Sequence, residues 1–217
     1  MDYHRHTLEM IRRWPPTLSS EAIDAAARRL GITIPEAVRQ WYSVGDAVQI
    51  RERYSNADYP TSPDDFTVER AQDNPVIEFL GENQGVCSWA FLLNGSDDPP
   101  VMINLDPPAD EAWRYCVDRF STFIYCRVFD HIHWYDDLMY GEIYGPLSEG
   151  DLAFLRDRFR EEPTTLNRAN SQTYRFSQGE RRMIIWTMED QSDWYVSSDT
   201  KDDLEELKSI LQSVWDR

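Results

Sequence analysis

The stretch VIEFLGENQGVCSWAFLLNGSDDPPVMI, residues 76–103, contains the densest apolar runs of the chain. Residues 76–80 are long enough for a strand and too short for a stable helix, and a turn with two glycines follows them. Residues 86–93 place apolar side chains on both faces, which is typical of a strand at the centre of a sheet. A loop from Asn94 to Pro100 leads to a third short apolar run. The pattern predicts an α+β fold with a central mixed or antiparallel sheet, an antiparallel meander over about residues 76–104, and flanking helices.

The composition limits the classes of partner. The chain has 217 residues, 39 of them acidic and 22 basic, with a formal net charge of −17 and 41% hydrophobic residues. This hydrophobic fraction is sufficient for a substantial core. The negative charge argues against nucleic acids and anionic membranes, because both need a basic surface to meet their phosphates. It favours a basic protein partner, although acidity also serves solubility alone.

Cysteine use and the lack of a targeting pattern indicate a cytoplasmic protein. Cys87, Cys116 and Cys126 form no C-x-x-C pair and no even framework, which is typical of a reducing compartment. The first residues lack an apolar core with a small-residue cleavage site. No run approaches the roughly 20 apolar residues of a membrane span. We therefore expect a cytoplasmic location and no membrane partner.

Helix signals lie on both sides of the meander. Residues 22–30 and 35–44 predict a helix pair joined by a tight turn at Gly31, with Pro35 in the first turn of the second helix. After the meander, apolar residues in steps of three and four predict one long helix over residues 111–133. Ser148 and Asp151 have the spacing of a capping box, which predicts a further helix through Phe159.

The last part of the chain shows a second alternation of strands and helix. Residues 164–171 are polar and predict a linker, and three strand-like runs follow at residues 173–176, 181–188 and 193–196. A final helix is predicted from Ser198 or Asp199 through Val214. We expect one domain over residues 1–162 and a C-terminal piece over residues 163–217 that packs on it.

Catalytic and metal-binding patterns are missing from the sequence. It has no G-x-S-x-G elbow, no phosphate-binding glycine loop and no H-E-x-x-H pair. His131 and His133 diverge by roughly 200° on a helix, which disfavours a shared metal, and His4 and His6 are weaker candidates. Cys87 is interpreted as a small buried hydrophobic side chain. We expect no catalytic residue, no cofactor and no metal.

Clusters of acidic residues are the candidates for partner binding. They comprise Asp64, Asp65, Asp97, Asp98, Asp136 and Asp137, together with the acidic run over residues 199–206. Each cluster by itself is typical of a solvated surface, and the sequence does not indicate which clusters share a face. Glu82 lies in the turn of the meander, where we favour a carboxylate that accepts hydrogen bonds from the turn over a direct functional role.

Several ordered segments resemble the SMI1/KNR4 (SUKH) superfamily. The first is E-N-Q-G-V-x-x-W, which includes Glu82, Asn83, Gly85 and Trp89, and the second is D-P-P-V, which includes Pro100. In this resemblance these residues belong to the structural motif of the family.

Two further segments extend the resemblance over roughly residues 18–159. The run L-G-I-T-I-P at residues 30–35 is similar to the family's L-G-x-x-L-P, with Ile34 in place of the usual Leu. Phe120 and Phe123 resemble an S-F-x-x-F element that follows the sheet.

The resemblance implies a binding protein without catalytic residues. Bacterial members are commonly immunity proteins that bind and neutralise a cognate toxin, frequently a nuclease, whereas fungal members act as regulatory scaffolds. We expect an immunity protein whose carboxylates steer it to a basic toxin domain and whose exposed Trp or Tyr side chains anchor the contact. A regulatory scaffold or adaptor is the alternative. A hydrolase with an unrecognised site around His131 and His133 is the third possibility.

Overall fold

The computed structural model describes residues 3–11, 19–44, 58–71, 73–105, 113–134, 139–168 and 171–215. The chain divides into two compact units, Met1–Val128 and Phe129–Arg217. Each unit contains an antiparallel sheet with helices, so the predicted α+β class is confirmed. The boundary that we expected between residues 162 and 163 falls inside a strand, because that strand belongs to the sheet of the second unit.

The first unit is built on a six-stranded sheet. Its strands follow the order β1-β3-β4-β5-β6, and β2 also pairs with β3. Their bounds are β1 Asp58–Pro60, β2 Glu69–Ala71, β3 Asn74–Glu82, β4 Ser88–Leu92, β5 Val101–Asn104 and β6 Trp113–Val117. The strands β3, β4 and β5 pair consecutively and antiparallel, which confirms the meander. The central strand is β4, where four of five residues are buried.

Among the described residues, three helices precede this sheet in the chain. They are α1 Arg5–Met10, α2 Glu21–Leu30 and α3 Glu36–Ser43. The predicted pair α2 and α3 is confirmed, and Gly31 ends α2 with a φ of 66°, a conformation that glycine adopts without steric cost. The segment between α3 and the meander holds β1, β2 and a short 3-10 helix, Pro63–Asp65. The run AVQI at residues 47–50, whose composition also predicts a short strand, lies outside the described residues.

Aromatic side chains form the core of the first unit. The ring centroid of Phe79 lies 4.9 Å from that of Phe120 and 5.3 Å from that of Phe123. Trp89 is almost fully buried, and its ring lies 5.7 Å from Phe123. Phe79, Trp89, Phe120 and Phe123 therefore pack together in the core of the first unit.

The single helix predicted over residues 111–133 is wrong. Residues 113–117 form the strand β6, and the helix α4 is Phe120–Trp134. The apolar residues before Asp118 are buried because their strand pairs with β5. In this pairing Trp113 lies opposite Asn104. The helical spacing of apolar residues that we found over residues 111–133 therefore extends by coincidence over a strand, a turn and a helix.

The second unit holds a five-stranded antiparallel sheet in the order β7-β11-β10-β9-β8. Its strands are β7 Met139–Tyr144, β8 Arg160–Arg168, β9 Ser171–Gln178, β10 Arg181–Thr187 and β11 Ser192–Ser197. The three predicted strand-like runs are confirmed as β9, β10 and β11. The linker predicted over residues 164–171 is wrong, because its first half completes β8. Gly141 and Gly145, which as glycines predict breaks in regular structure, lie in β7 and directly after it.

Two helices accompany the second sheet, α5 Glu149–Arg158 and α6 Lys201–Trp215. The capping box of α5 is confirmed: the backbone N–H of Asp151 donates to Ser148 Oγ, and that of Ser148 donates to Asp151 Oδ2. Buried residues from both helices and the sheet form one apolar core. They are Leu152, Leu155, Phe159, Phe176, Met183, Ile185, Trp194, Val196, Leu204, Leu207, Leu211 and Val214.

Candidate partner-binding surfaces

The turn of the meander is held by Glu82. Its Oε2 atom accepts hydrogen bonds from the backbone N–H of Gln84 at 2.8 Å and of Val86 at 3.4 Å. Gly85 has a φ of 71°, which the left-handed turn conformation requires. The predicted structural role of Glu82 is therefore confirmed. Asn83 and Gly85 are exposed in the same turn.

Asp98 also serves the fold of the first unit. Its Oδ1 accepts the backbone N–H of Ser121 at 2.9 Å, and its Oδ2 accepts the Ser121 hydroxyl at 2.6 Å. Ser121 lies in the first turn of α4, where unpaired N–H groups and the helix dipole stabilise a negative charge. Asp98 thus joins the loop after Leu93 to the start of α4.

The carboxylates of Asp64, Asp65 and Asp97 are exposed and form no ion pair among the described residues. Asp64 and Asp65 lie in the 3-10 helix, which is attached to α2 because Arg29 donates to the backbone oxygens of Pro63 and Phe66. Asp97 lies in the loop before β5. Asp136 and Asp137, the third predicted pair, lie outside the described residues.

An open groove of about 410 Å³ lies beside these loops. Apolar side chains dominate its wall, and among its described lining residues Asp97 alone is charged. The lining residues are Ile32, Thr33, Ile34, Pro35, Val68, Pro75, Leu93, Gly95, Ser96 and Asp97. Val68 is 44% exposed. Val68 is three residues after Asp65, and three residues span at most roughly 11 Å. The Cα atoms of Asp65 and Val68 therefore lie within that distance of each other.

The second unit contains a buried polar layer beneath one face of its sheet. Arg175 donates to Asp130 through Nε at 2.7 Å and through Nη2 at 2.8 Å. Its Nη1 donates to the backbone oxygens of Pro163 and Thr173 and to the Thr165 hydroxyl. These contacts satisfy the guanidinium inside the protein, so this charge stabilises the fold and is closed to a ligand.

His133 belongs to the same layer. Its Nδ1 lies 2.9 Å from the Ser197 hydroxyl, within hydrogen-bonding distance. Burial lowers the pKa of His133 to about 4; the Asp130 carboxylate opposes this shift, and Arg182 adds to it. His133 is therefore neutral near pH 7. Among the described residues no group of three or more His, Cys, Asp or Glu side chains is arranged to hold a metal ion.

His4, His6 and Cys87 have ordinary structural surroundings. His4 is buried, with Nε2 2.8 Å from the backbone oxygen of Ala37, and burial lowers its pKa. His6 is exposed on α1. Cys87 is partly exposed, so its prediction as a buried side chain is wrong: β4 begins only at Ser88, and Cys87 remains in the turn.

An aromatic cluster that the sequence did not indicate lies on the second sheet. The ring of Trp134 lies 5.6 Å from that of Trp186 and 4.7 Å from that of Tyr195, and the last two are 5.1 Å apart. We call these three residues the aromatic triangle. Tyr195 lies against Gly141 of β7, where a Cβ atom would come within 3.0 Å of its ring. Residues far apart in sequence thus form one partly exposed surface.

Comparison of the chain with protein-family models, with curated proteins and with solved structures finds no match. No helix within the described ranges has the length and apolar character needed to cross a membrane. The functional interpretation therefore depends on the residues and the geometry given above.

Proposed function

We propose that this chain is an immunity-type binding protein that neutralises a basic toxin domain by covering its functional surface. The observation that carries the proposal is the apolar groove of the first unit, which has exposed Asp97 in its wall and exposed Asp65 nearby. The net charge of −17 and the resemblance to the SUKH superfamily support the same function. We place this protein in the cytoplasm, where such a toxin would act.

The groove and the carboxylates have separate roles in this proposal. The exposed carboxylates of Asp64, Asp65 and Asp97 accelerate the encounter with a basic surface, an effect that salt weakens. The apolar wall receives an apolar or aromatic side chain of the partner, since well-packed anchors carry most of the energy of an interface. If the toxin is a nuclease, these carboxylates occupy the basic surface that otherwise receives phosphates.

Co-expression with a toxin domain encoded beside this chain tests the proposal. Rescue of growth together with a purified complex is the expected result. In the variant Asp64→Asn/Asp65→Asn/Asp97→Asn, we expect the association rate to fall about tenfold at low salt, with a smaller difference at high salt. The control is Glu21→Gln/Glu149→Gln/Asp202→Asn, which removes the same charge at exposed positions elsewhere.

Two results would contradict the proposal. If the chain rescues growth against no adjacent toxin candidate and forms a complex with none, the proposed function is wrong. An equal loss of association rate in both triple variants would show that net charge alone matters and would remove the groove as the site. A stable partner that is not toxic would favour the regulatory scaffold instead.

A further inference from the structure

The strand β7 forms one edge of the second sheet, and among the described strands it pairs only with β11. Four of its six residues are exposed and the other two are half-buried. An edge strand presents a row of backbone N–H and C=O groups that can pair with another chain. The edge of β7 therefore offers main-chain hydrogen bonds to a partner.

Three usual protections of an edge strand, proline, lysine and a bulge, are missing from β7. Its residues, MYGEIY, include no proline and no lysine. Its pairing with β11 runs without a register shift from Ser192 opposite Tyr144 to Ser197 opposite Met139, so no bulge turns the edge away. The edge is regular over its whole length.

The two faces of β7 differ in character. Met139 and Ile143, which are 39% and 62% exposed, share a face with Tyr195 of the aromatic triangle, because side chains alternate along a strand. Trp186 of the triangle is 36% exposed. The opposite face carries Glu142 between the half-buried side chains of Tyr140 and Tyr144, and the Glu142 Oε2 accepts the Tyr140 hydroxyl at 2.7 Å. An added strand would meet apolar side chains on one face and a carboxylate between two tyrosines on the other.

We propose that β7 takes up an extended segment of a protein partner as a sixth strand of this sheet. The segment has apolar residues opposite Met139 and Ile143, and Lys or Arg opposite Glu142. The inference rests on the proposed function only in that the partner is basic. It adds an interaction surface distinct from the groove of the first unit.

Charge decides between a basic partner and a second copy of this chain. The strands β7 and β11 carry Glu142 and Asp193 and contain no Lys or Arg. A second copy would bring a further net charge of −17 and another Glu142 to the same edge. A basic segment places opposite charges across the strand pair, which stabilises a sheet, whereas like charges destabilise it.

The test uses a synthetic peptide, acetyl-Thr-Val-Lys-Val-Thr-Val-Thr-amide, added to the isotope-labelled full chain and followed by nuclear magnetic resonance. We expect shifts of the backbone amides of residues 139–144 and of the Trp186 indole N–H. The affinity should fall at least tenfold in Ile143→Lys and about threefold in Glu142→Gln. Replacing the peptide lysine by glutamate should weaken binding further.

The matched control is Val68→Lys, which places the same charge in the groove of the first unit and should leave peptide binding unchanged. Absence of shifts at β7, binding that Ile143→Lys does not weaken, or binding that Val68→Lys abolishes would overturn the inference. A dimer in sedimentation that Ile143→Lys dissociates would also overturn it, since β7 would then pair with its own copy. Failure of the peptide assay alongside toxin rescue overturns this inference alone.

Discussion

Arg175 and Asp130 form a two-pronged ion pair inside the second unit, with N–O distances of 2.7 and 2.8 Å and almost no solvent exposure of either side chain. Asp130 lies on α4 and Arg175 on β9. Removing two charges from water is unfavourable, and only close pairing with further hydrogen bonds offsets it. The pair therefore fixes the position of the end of α4 on the sheet, and its loss should be severe.

Asp130→Ala should lower the free energy of unfolding of the second unit by about 3–5 kcal/mol, because the variant leaves the Arg175 charge buried without its carboxylate. Urea unfolding followed by tryptophan fluorescence measures the change. The double variant Asp130→Leu/Arg175→Met should be less destabilised than the single one, since it removes both charges.

Asp157→Ala is the control for this effect. Asp157 pairs with Arg158 at an exposed position, so its removal should change stability by less than about 1 kcal/mol. If Asp130→Ala behaved like Asp157→Ala, the buried pair would have no special structural role.

His133 should make stability depend on pH. Burial lowers the pKa of its folded form to about 4 from the ordinary 6.5, so between these values only the unfolded chain takes up the proton. The free energy of unfolding should therefore fall as the pH falls from 6.5 to 4, by up to about 3 kcal/mol in total. Above pH 6.5 the histidine is neutral in both states and contributes no pH dependence.

His133→Gln tests this assignment, because glutamine is uncharged and can still bond to Ser197. Urea midpoints at pH 7.5 and pH 5 should differ less in the variant than in the unchanged chain. The same difference in both proteins would attribute the acid sensitivity to other groups.

Gly141→Ala should destabilise the second unit by about 1–3 kcal/mol. The added Cβ atom would lie 3.0 Å from the Tyr195 ring and displace it from the aromatic triangle. Thermal unfolding and the fluorescence of Trp134 and Trp186 report the change. Gly145→Ala is the matched control, since no atom lies within 4 Å of the Cβ position there, and it should have little effect.

Asp98→Ala should lower the stability of the first unit by about 1 kcal/mol, because it removes the carboxylate that accepts both donors of Ser121. Asp97→Ala should change stability by less than about 0.5 kcal/mol, since the side chain is exposed. Under the proposed function the order of the two variants is reversed for toxin association, which Asp97→Ala should weaken more than Asp98→Ala does. Equal stability losses would show that Asp98 does not anchor α4.

Local patterns in the sequence predicted much of the first sheet. Residues 86–93 carry apolar side chains on both faces. Both faces are covered only when the strand lies at the centre of a sheet. The turn at Glu82 and the capping box at Ser148 were also predictable, because each depends on side chains that bond to nearby backbone. In the turn and in the capping box, the residues that interact lie within a few positions of each other in the sequence.

The strands β7 and β8 could not be predicted in this way. Glu162 and Thr165 of β8 are buried but polar, and they are satisfied by Arg160, Ser177 and Arg175. A buried polar strand shows no apolar alternation, so its sequence resembles a linker. Two of the partners that allow its burial, Ser177 and Arg175, lie on β9.

The candidate surfaces also differ in whether the sequence could predict them. Exposed Asp64, Asp65 and Asp97 were found from their clustering in sequence. The aromatic triangle was not, because its three residues come from α4, β10 and β11 and meet only in the folded unit. Gly141, a glycine directly after Tyr140, was the local signal, and its role depends on the Tyr195 ring that lies against it.

The open edge of β7 has a consequence for the protein in solution. A regular edge strand without proline or lysine and with exposed Ile143 is a template for aggregation, and the negative charge of the chain opposes that association by repulsion between molecules. Acidification lowers the net negative charge and weakens this repulsion, and His133 destabilises the fold as the pH falls from 6.5 to 4. Concentrated stocks should therefore precipitate on acidification, and Ile143→Lys should delay the onset of turbidity.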